Sequence, residues 1–207
     1  MVRTAFPRLA CVQIEAIAVV LAGYLVGSVD FGVIIPRLRG VDIYAKGSGN
    51  PGASNVLRSM GRRMAALVVL GDISKGVVAA MAGDLLVGDA TGFASGFAAV
   101  LGHCFPIWHR FHGGKGVATA GGMTLWMEPW AGLVFVAAWA LIVAVTKRAS
   151  IASMFAAIAL VPILAVLGHR GWSLVWAGAA GGLIVARHHA NIRRLLRGSE
   201  HRIEEAA

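Results

Sequence analysis

The chain reads as an all-α integral membrane protein of about seven transmembrane or half-membrane helices, with its N-terminus outside and its C-terminus cytoplasmic. Three observations predict this. Hydrophobic side chains make up 57% of the 207 residues, charged ones only 14%, and the mean hydropathy is +0.73, which leaves too little polar surface for a water-soluble globule. Apolar runs recur at close to the roughly 20 residues a helix needs to cross about 30 Å of hydrocarbon. Lys and Arg gather in alternate connections between those runs, which sets orientation by the positive-inside rule.

The apolar runs lie near 14–35, 64–82, 90–108, 116–127, 130–146, 151–167 and 172–186. Arg3 and Arg8 precede the first as they would in a signal peptide, but no small-x-small cleavage site follows, so it is taken as a membrane helix. Leu9-Ala10-Cys11 is no lipoprotein box either, since the apolar stretch follows the cysteine. Cys11 and Cys104 show no metal or disulfide spacing and read as small buried hydrophobes. The run 64–82 carries Asp72 and Lys75 three residues apart, a pair expected to neutralise itself facing the bundle interior. Asp30, within the first run, is expensive unless paired or near water. The run 116–127 spans only about 18 Å as a helix, too short to cross, and is expected to be a half-helix shielded by its neighbours.

Of the nineteen Lys and Arg, all except Arg3, Arg8, Arg170 and Lys75 fall on one side of this arrangement, which is therefore the cytoplasmic one. The formal charge of +9 is thus first a topology signal. It suits anionic headgroups or substrates rather than nucleic acid. No internal repeat is evident, and the chain is expected to form one multispanning domain over 1–207. Many of the 27 glycines lie in apolar runs, where small residues let membrane helices pack closely.

The polar connections carry the chemistry. The first runs from Lys46-Gly47-Ser48-Gly49-Asn50 through Ser54 and Asn55 to Arg58. Its glycines permit turns that converge backbone N–H groups on an anion, its hydroxyls and amides add neutral donors, and Arg58 can grip phosphate with two prongs. The bland alternative is a turn and a helix capped by Ser54 or Asn55. The second, His112-Gly113-Gly114-Lys115-Gly116-Val117-Ala118-Thr119, leads into the half-helix, whose N-terminus leaves amides free and carries partial positive charge. It lacks the first glycine and the strand context of a Walker A loop. The third begins at Arg187-His188, where His188 and Asn191 share a helical face and can orient or deprotonate a hydroxyl. The alternative there is a basic anchor for anionic lipid. His103, His109 and His112 lack a carboxylate or cysteine pattern, so neither metal nor cofactor is expected.

Together these stretches resemble the bacterial acyl-phosphate glycerol-3-phosphate acyltransferase family, the PlsY type. The resemblance runs from Gly27-Ser28 through Gly47-Ser48-Gly49-Asn50, Asn55, Arg58, Asp72, Lys75-Gly76, Gly102-His103 and Phe105-Pro106 to Gly113-Gly114-Lys115, Ala118-Thr119, Arg187-His188 and Asn191-Ile192, ending in Arg194-Leu195, Gly198 and Glu200. It implies an enzyme that moves a fatty acyl group from acyl phosphate to the first hydroxyl of glycerol 3-phosphate. The products are lysophosphatidic acid and phosphate, the first step of phospholipid synthesis.

By the same resemblance Ser48, Arg58, His188 and Asn191 are catalytic. The resemblance also implies that Gly113, Gly114 and Lys115 bind phosphate and that Glu200 is structural; the make-up of the connections adds Lys46, Gly47, Gly49, Asn50, Asn55, Gly116, Thr119 and Ser150 as expected phosphate-binding residues, and Asp72 with Lys75 as a structural pair. The expected partners are glycerol 3-phosphate, acyl phosphate and membrane lipids, with a monomer as the expected state, which neither the residues nor the resemblance fixes. Three positions depart from the family pattern: Asp30 stands where proline is usual, Ala149 replaces the first serine of a pair, and Ala190 replaces an acidic residue. An organophosphate transporter would also need buried cations and broken helices, but the motifs all lie on one side and no paired repeats appear. A noncatalytic scaffold leaves both glycine-rich loops unexplained.

Overall fold

The computed structural model describes residues 5–203, and every regular element in them is helical: α1 (Ala5–Gly27), α2 (Phe31–Arg37), α3 (Ala53–Met60), α4 (Arg62–Leu86), α5 (Asp89–Cys104), α6 (Val117–Met127), α7 (Pro129–Thr146), α8 (Ala149–Val166), α9 (Trp172–Arg187) and α10 (His189–Leu196). Arg3 lies outside the described residues, as do the side chains of Arg8 and Cys11. Among the described residues five segments are long and apolar enough to cross a membrane, namely Val12–Arg37, Arg62–Leu86, Asp89–His109, Pro129–Thr146 and Ala149–Val166. The apolar α9 has 16 residues. The run at 116–127 folds as α6, whose 11 residues rise about 16 Å.

The first apolar run is two helices rather than one, broken at Ser28–Asp30. Continuing α1 would bond the Val29 carbonyl to Val33 N, but Lys75 Nζ donates to that carbonyl at 2.9 Å. Val33 N turns instead to Asp30 O at 3.1 Å. A buried ammonium from another helix thus takes over a backbone acceptor and ends the helix.

Small residues set the helix contacts. A Cβ at Gly27 would sit 2.2 Å from Ala99 O, and one at Gly76 would sit 2.0 Å from Thr119 O. The α1/α5 and α4/α6 seams are therefore backbone to backbone, closer than any larger residue allows. The core is filled by Phe93, Met123, Leu160 and Leu164 with Ala80, Ala177 and Ala180, joining α4, α5, α6, α8 and α9. Leu133, Leu141, Val145, Ile158 and Val166 face outward and are more than half exposed, the surface expected against lipid tails.

Asp72 and Lys75 form the expected internal pair, Nζ to Oδ1 2.9 Å, with 3% of each side chain exposed. Asp30 is fully buried, and among the described residues neither carboxylate oxygen has a hydrogen-bond partner. In the first connection the helix starts earlier than a Ser54 or Asn55 cap would allow: Gly52 is the N-cap and Ala53 the first helical residue.

Candidate active site

The Lys46–Arg58 connection is organised by one buried amide. Asn55, on the first turn of α3 and 1% exposed, accepts from Ser48 N at 3.0 Å and donates to Lys46 O at 2.9 Å and Ile43 O at 3.4 Å. Gly47 is required beside it, because its φ is +52° and a Cβ there would lie 2.2 Å from Asn55 Oδ1. Ile43, Val33 and Val56 anchor the loop in an apolar cluster, and Tyr44 ties it to the second connection by donating to His112 O at 2.6 Å. With Asn55 holding the backbone, the Ser48 hydroxyl turns toward Arg58, whose Nη2 is 3.5 Å away.

The second connection is clamped from two sides. Gly113 N donates to Cys104 O at 3.2 Å and Gly114 N to His103 O at 3.1 Å, while Arg187 grips Gly114 O from Nε at 3.2 Å and Gly113 O from Nη2 at 2.8 Å. The Arg187 guanidinium also lies 5.1 Å above the Phe105 ring, a cation–π contact. The amides of Gly113 and Gly114 are thus already bonded within the protein. What these glycines supply is close approach, since a Cβ on Gly113 would lie 2.0 Å from His103 O and one on Gly114 2.1 Å from His103 Nε2. The donors aimed at the site begin after them, at the Lys115 ammonium, which has protons beyond the one it gives Asn191, and at the first turn of α6.

The third connection supplies an interlocked set. Lys115 Nζ donates to Asn191 Oδ1 at 2.6 Å, Asn191 Nδ2 donates to Glu200 Oε1 at 2.5 Å, and Arg194 Nε donates to Glu200 Oε2 at 2.8 Å. The tail that carries Glu200 folds back until Ile203 N bonds Lys147 O at 2.9 Å. His188, the N-cap of α10, sits 2.7 Å from Ile184 O through Nδ1. A carbonyl only accepts, so Nδ1 carries the proton and Nε2 is left as a lone-pair acceptor.

These groups enclose a cavity of about 360 Å³. At its polar end stand Ser48, Arg58, Lys115, His188, Asn191 and Glu200; at its apolar end, between α6, α7 and α8, stand Leu125, Phe135, Val136, Trp139, Ala156 and Leu160. Asn50, Asn55, Asp72, Gly116 and Ser150 also line it. Lys46, Gly47, Gly49, Gly113, Gly114, Thr119 and Lys75 do not. Thr119 is fully buried on the α4 side, and Lys75 is spent on its internal partners.

The polar end is strongly electropositive. Burial pushes Lys115 down to about 8, helped by Arg194, Arg58 and Arg187 and opposed by Glu200. Burial and the Lys115 charge push His188 down to about 4, so it is neutral at pH 7. Burial alone would raise Glu200, but Asn191, Ser150 and Arg194 outweigh it and hold the carboxyl below its usual range. Sequence reasoning gave no site role to Arg187 or His103. Arg187 adjoins His188, a signal that was legible; nothing in the spacing tied His103 to Lys75, 28 residues away.

Residues 17–198 match the family described as glycerol-3-phosphate acyltransferase. The glycerol-3-phosphate acyltransferase of Thioalkalivibrio sulfidiphilus is 45% identical over 202 residues, covering 91% of this chain and 94% of the relative. The chain belongs to the glycerol-3-phosphate acyltransferase family. Its counterpart from Symbiobacterium thermophilum is 44% identical, covering 91% of this chain and 95% of that one. The crystal structure of PlsY, an integral membrane glycerol 3-phosphate acyltransferase, in its glycerol 3-phosphate form superposes with a TM-score of 0.87 at 40% identity, covering 90% of this chain and 94% of that one. The lysophosphatidic acid form gives 0.85 with the same identity and coverage. Family membership and fold therefore agree on an integral membrane acyltransferase.

Proposed function

We propose that this chain transfers a fatty acyl group from acyl phosphate to the first hydroxyl of glycerol 3-phosphate, releasing lysophosphatidic acid and phosphate, at a site facing the cytoplasm of a bacterial inner membrane. The observation that carries the reading is the two-ended cavity: one cationic end built from all three polar connections opens into one apolar end between α6, α7 and α8. A phosphorylated acceptor, an activated phosphorylated head and an acyl chain are the ligands such a shape accommodates. The concentration of Lys and Arg around the three connections supports a cytoplasmic C-terminus and an outward N-terminus.

Acyl phosphate arrives activated, so the chain must align two anions, screen their repulsion and stabilise charge at the carbonyl. Arg58, Lys115 and Ser48 do this, with Lys115 aimed by Asn191 and Asn191 aimed by Glu200. His188 Nε2 accepts the hydrogen bond of the acceptor hydroxyl and orients it. The hydroxyl oxygen attacks the acyl carbon, the bond from that carbon to the phosphate oxygen breaks, and the proton ends on the departing phosphate, a stronger base than an imidazole whose pKa is about 4. Ser48 is not a nucleophile in this scheme, and a trapped acyl-Ser48 intermediate would overturn it.

The test is transfer of labelled acyl groups to glycerol 3-phosphate by the purified protein, with acyl phosphate, acyl-CoA and acyl-carrier protein as rival donors. Transfer from acyl phosphate alone is expected. A folded protein that uses only another donor, or none, would refute the reading.

A further inference from the structure

Beneath the Gly113-Gly114 turn lies a buried cluster that the mechanism above does not use. Lys75 Nζ reaches three acceptors: Val29 O at 2.9 Å, Asp72 Oδ1 at 2.9 Å and His103 Nδ1 at 2.8 Å. An ammonium carries donors and no acceptor, so the Val29 carbonyl and the His103 Nδ1 that it touches both accept from it, while Asp72 Oδ1 supplies the opposite charge as an ion pair. His103 Nδ1 is therefore unprotonated. A protonated Nδ1 facing an ammonium at that distance would set donor against donor, and the 3.4 Å to Asp72 Oδ1 is too long to compensate.

The ring proton accordingly sits on Nε2. That nitrogen points at Gly114, whose Cβ, if present, would lie 2.1 Å from it. Among the described residues no protein group accepts from Nε2, yet it is not a sealed orphan, and the otherwise buried ring (4% exposed) borders the same cavity as Arg58 and Lys115. Lys75 and Asp72 act as a tautomer lock, holding a histidine as a fixed N–H donor at the floor of an anion site.

We propose that His103 is a further substrate-binding residue, its Nε2–H donating to a phosphate oxygen in the cavity, with Lys75 and Asp72 as positioning residues that fix the tautomer. The inference rests on the acyl-transfer reading above. The oxygen belongs either to glycerol 3-phosphate or to the acyl phosphate head, two sources of one chemistry that kinetics separates.

Wild-type transfer is measured first, so that failure of the parent reading is recognised by itself. Two variants then divide the ring's roles. His103→Asn keeps an acceptor where Nδ1 was but has nothing at Nε2; His103→Gln places an amide near Nε2 but leaves Lys75 without its acceptor. A hydrogen bond to a charged group contributes about 1.5–3 kcal/mol, so His103→Asn is expected to raise one KM by about tenfold or more. The inhibition constant of inorganic phosphate should rise with it, and His103→Gln should recover part of the loss despite a lower melting temperature. A higher KM for glycerol 3-phosphate assigns the contact to the acceptor, and one for acyl phosphate assigns it to the donor.

Both KM values and the phosphate inhibition constant staying within about twofold in His103→Asn, or a fall in kcat alone that His103→Gln does not relieve, would overturn the proposal. Should neither variant fold, the wild-type protein decides by ¹⁵N spectroscopy of its histidines. The ring identified by contact with Gly114 must carry its proton on Nε2 and shift when inorganic phosphate is added; protonation at Nδ1, or no shift, refutes the assignment.

Discussion

Lys115 and Asn191, 76 residues apart, meet at 2.6 Å, with the ammonium donating to the amide oxygen while the amide nitrogen donates to Glu200. Glu200 thereby fixes which end of Asn191 faces the lysine, and Asn191 fixes where the positive charge stands in the cavity. Asn191→Ala should lower kcat/KM for glycerol 3-phosphate by about 10- to 100-fold, the range for a contact to a charged group. The double variant with Lys115→Ala should lose little more than Lys115→Ala alone, because the two act as one unit. Steady-state kinetics of the four proteins checks this.

The pH dependence of substrate capture should follow Lys115. Its pKa is lowered to about 8 from 10.5, mainly by burial, so the charged form that attracts phosphate is present below about 8 and is lost as pH rises through it. kcat/KM is expected to fall about tenfold per pH unit above that point. Lys115→Arg, which keeps its charge, should remove this alkaline limb even if activity is lower throughout. A limb unchanged in Lys115→Arg would assign it to another group.

His188 makes a prediction about stability. Its folded pKa is about 4 against 6.5 when unperturbed, with burial the larger cause and Lys115 the next. Between those values the unfolded chain binds more protons than the folded one, so stability rises as pH climbs from about 4 to 6.5 and is flat above. His188→Gln should flatten that window in a plot of melting temperature against pH. At pH 7 it should lower kcat by about tenfold, because the acceptor hydroxyl loses the hydrogen bond that orients it while the proton still passes to the departing phosphate.

Asp30 is a fully buried carboxylate with no hydrogen-bond partner on either oxygen among the described residues. An unsatisfied buried polar group costs about 1–3 kcal/mol, and for a chain of this size each kcal/mol moves the melting temperature by about 2–4 °C. Asp30→Val, which removes both unpartnered oxygens at a similar size, should therefore raise the melting temperature by several degrees while transfer continues. A lower melting temperature would show that the carboxylate is a working partner of Lys75 and His103.

Two glycine substitutions should behave oppositely. A methyl on Gly113 would strike the His103 carbonyl at 2.0 Å, whereas one on Gly182 in α9 meets nothing within 4 Å. Gly113→Ala should abolish transfer by displacing the turn that carries Lys115. Gly182→Ala should leave transfer unchanged and, if anything, stabilise its helix. Activity and melting temperature of the two side by side provide the check.

Much of this was legible in the chain itself. Runs of apolar residues announce membrane helices because each must satisfy its backbone internally and match the hydrocarbon thickness, both local properties. The shortness of α6 and the glycine, amide and cation content of the three connections were equally local, and with Asp72 and Lys75 three apart they pointed to an anion site and an internal ion pair. Only the packed structure decided how those groups are used. Asn55 is spent on its own loop, and the Gly113 and Gly114 amides on the end of α5. Lys75 breaks the first helix by taking the Val29 carbonyl, and His103 is held in one tautomer by a lysine from another helix. Hydrogen-bond partners, burial and the pKa values that follow from them depend on contacts between residues tens of positions apart. Such contacts are chosen by which helices can approach through their glycine seams, a property of the assembled bundle that no single stretch of sequence contains.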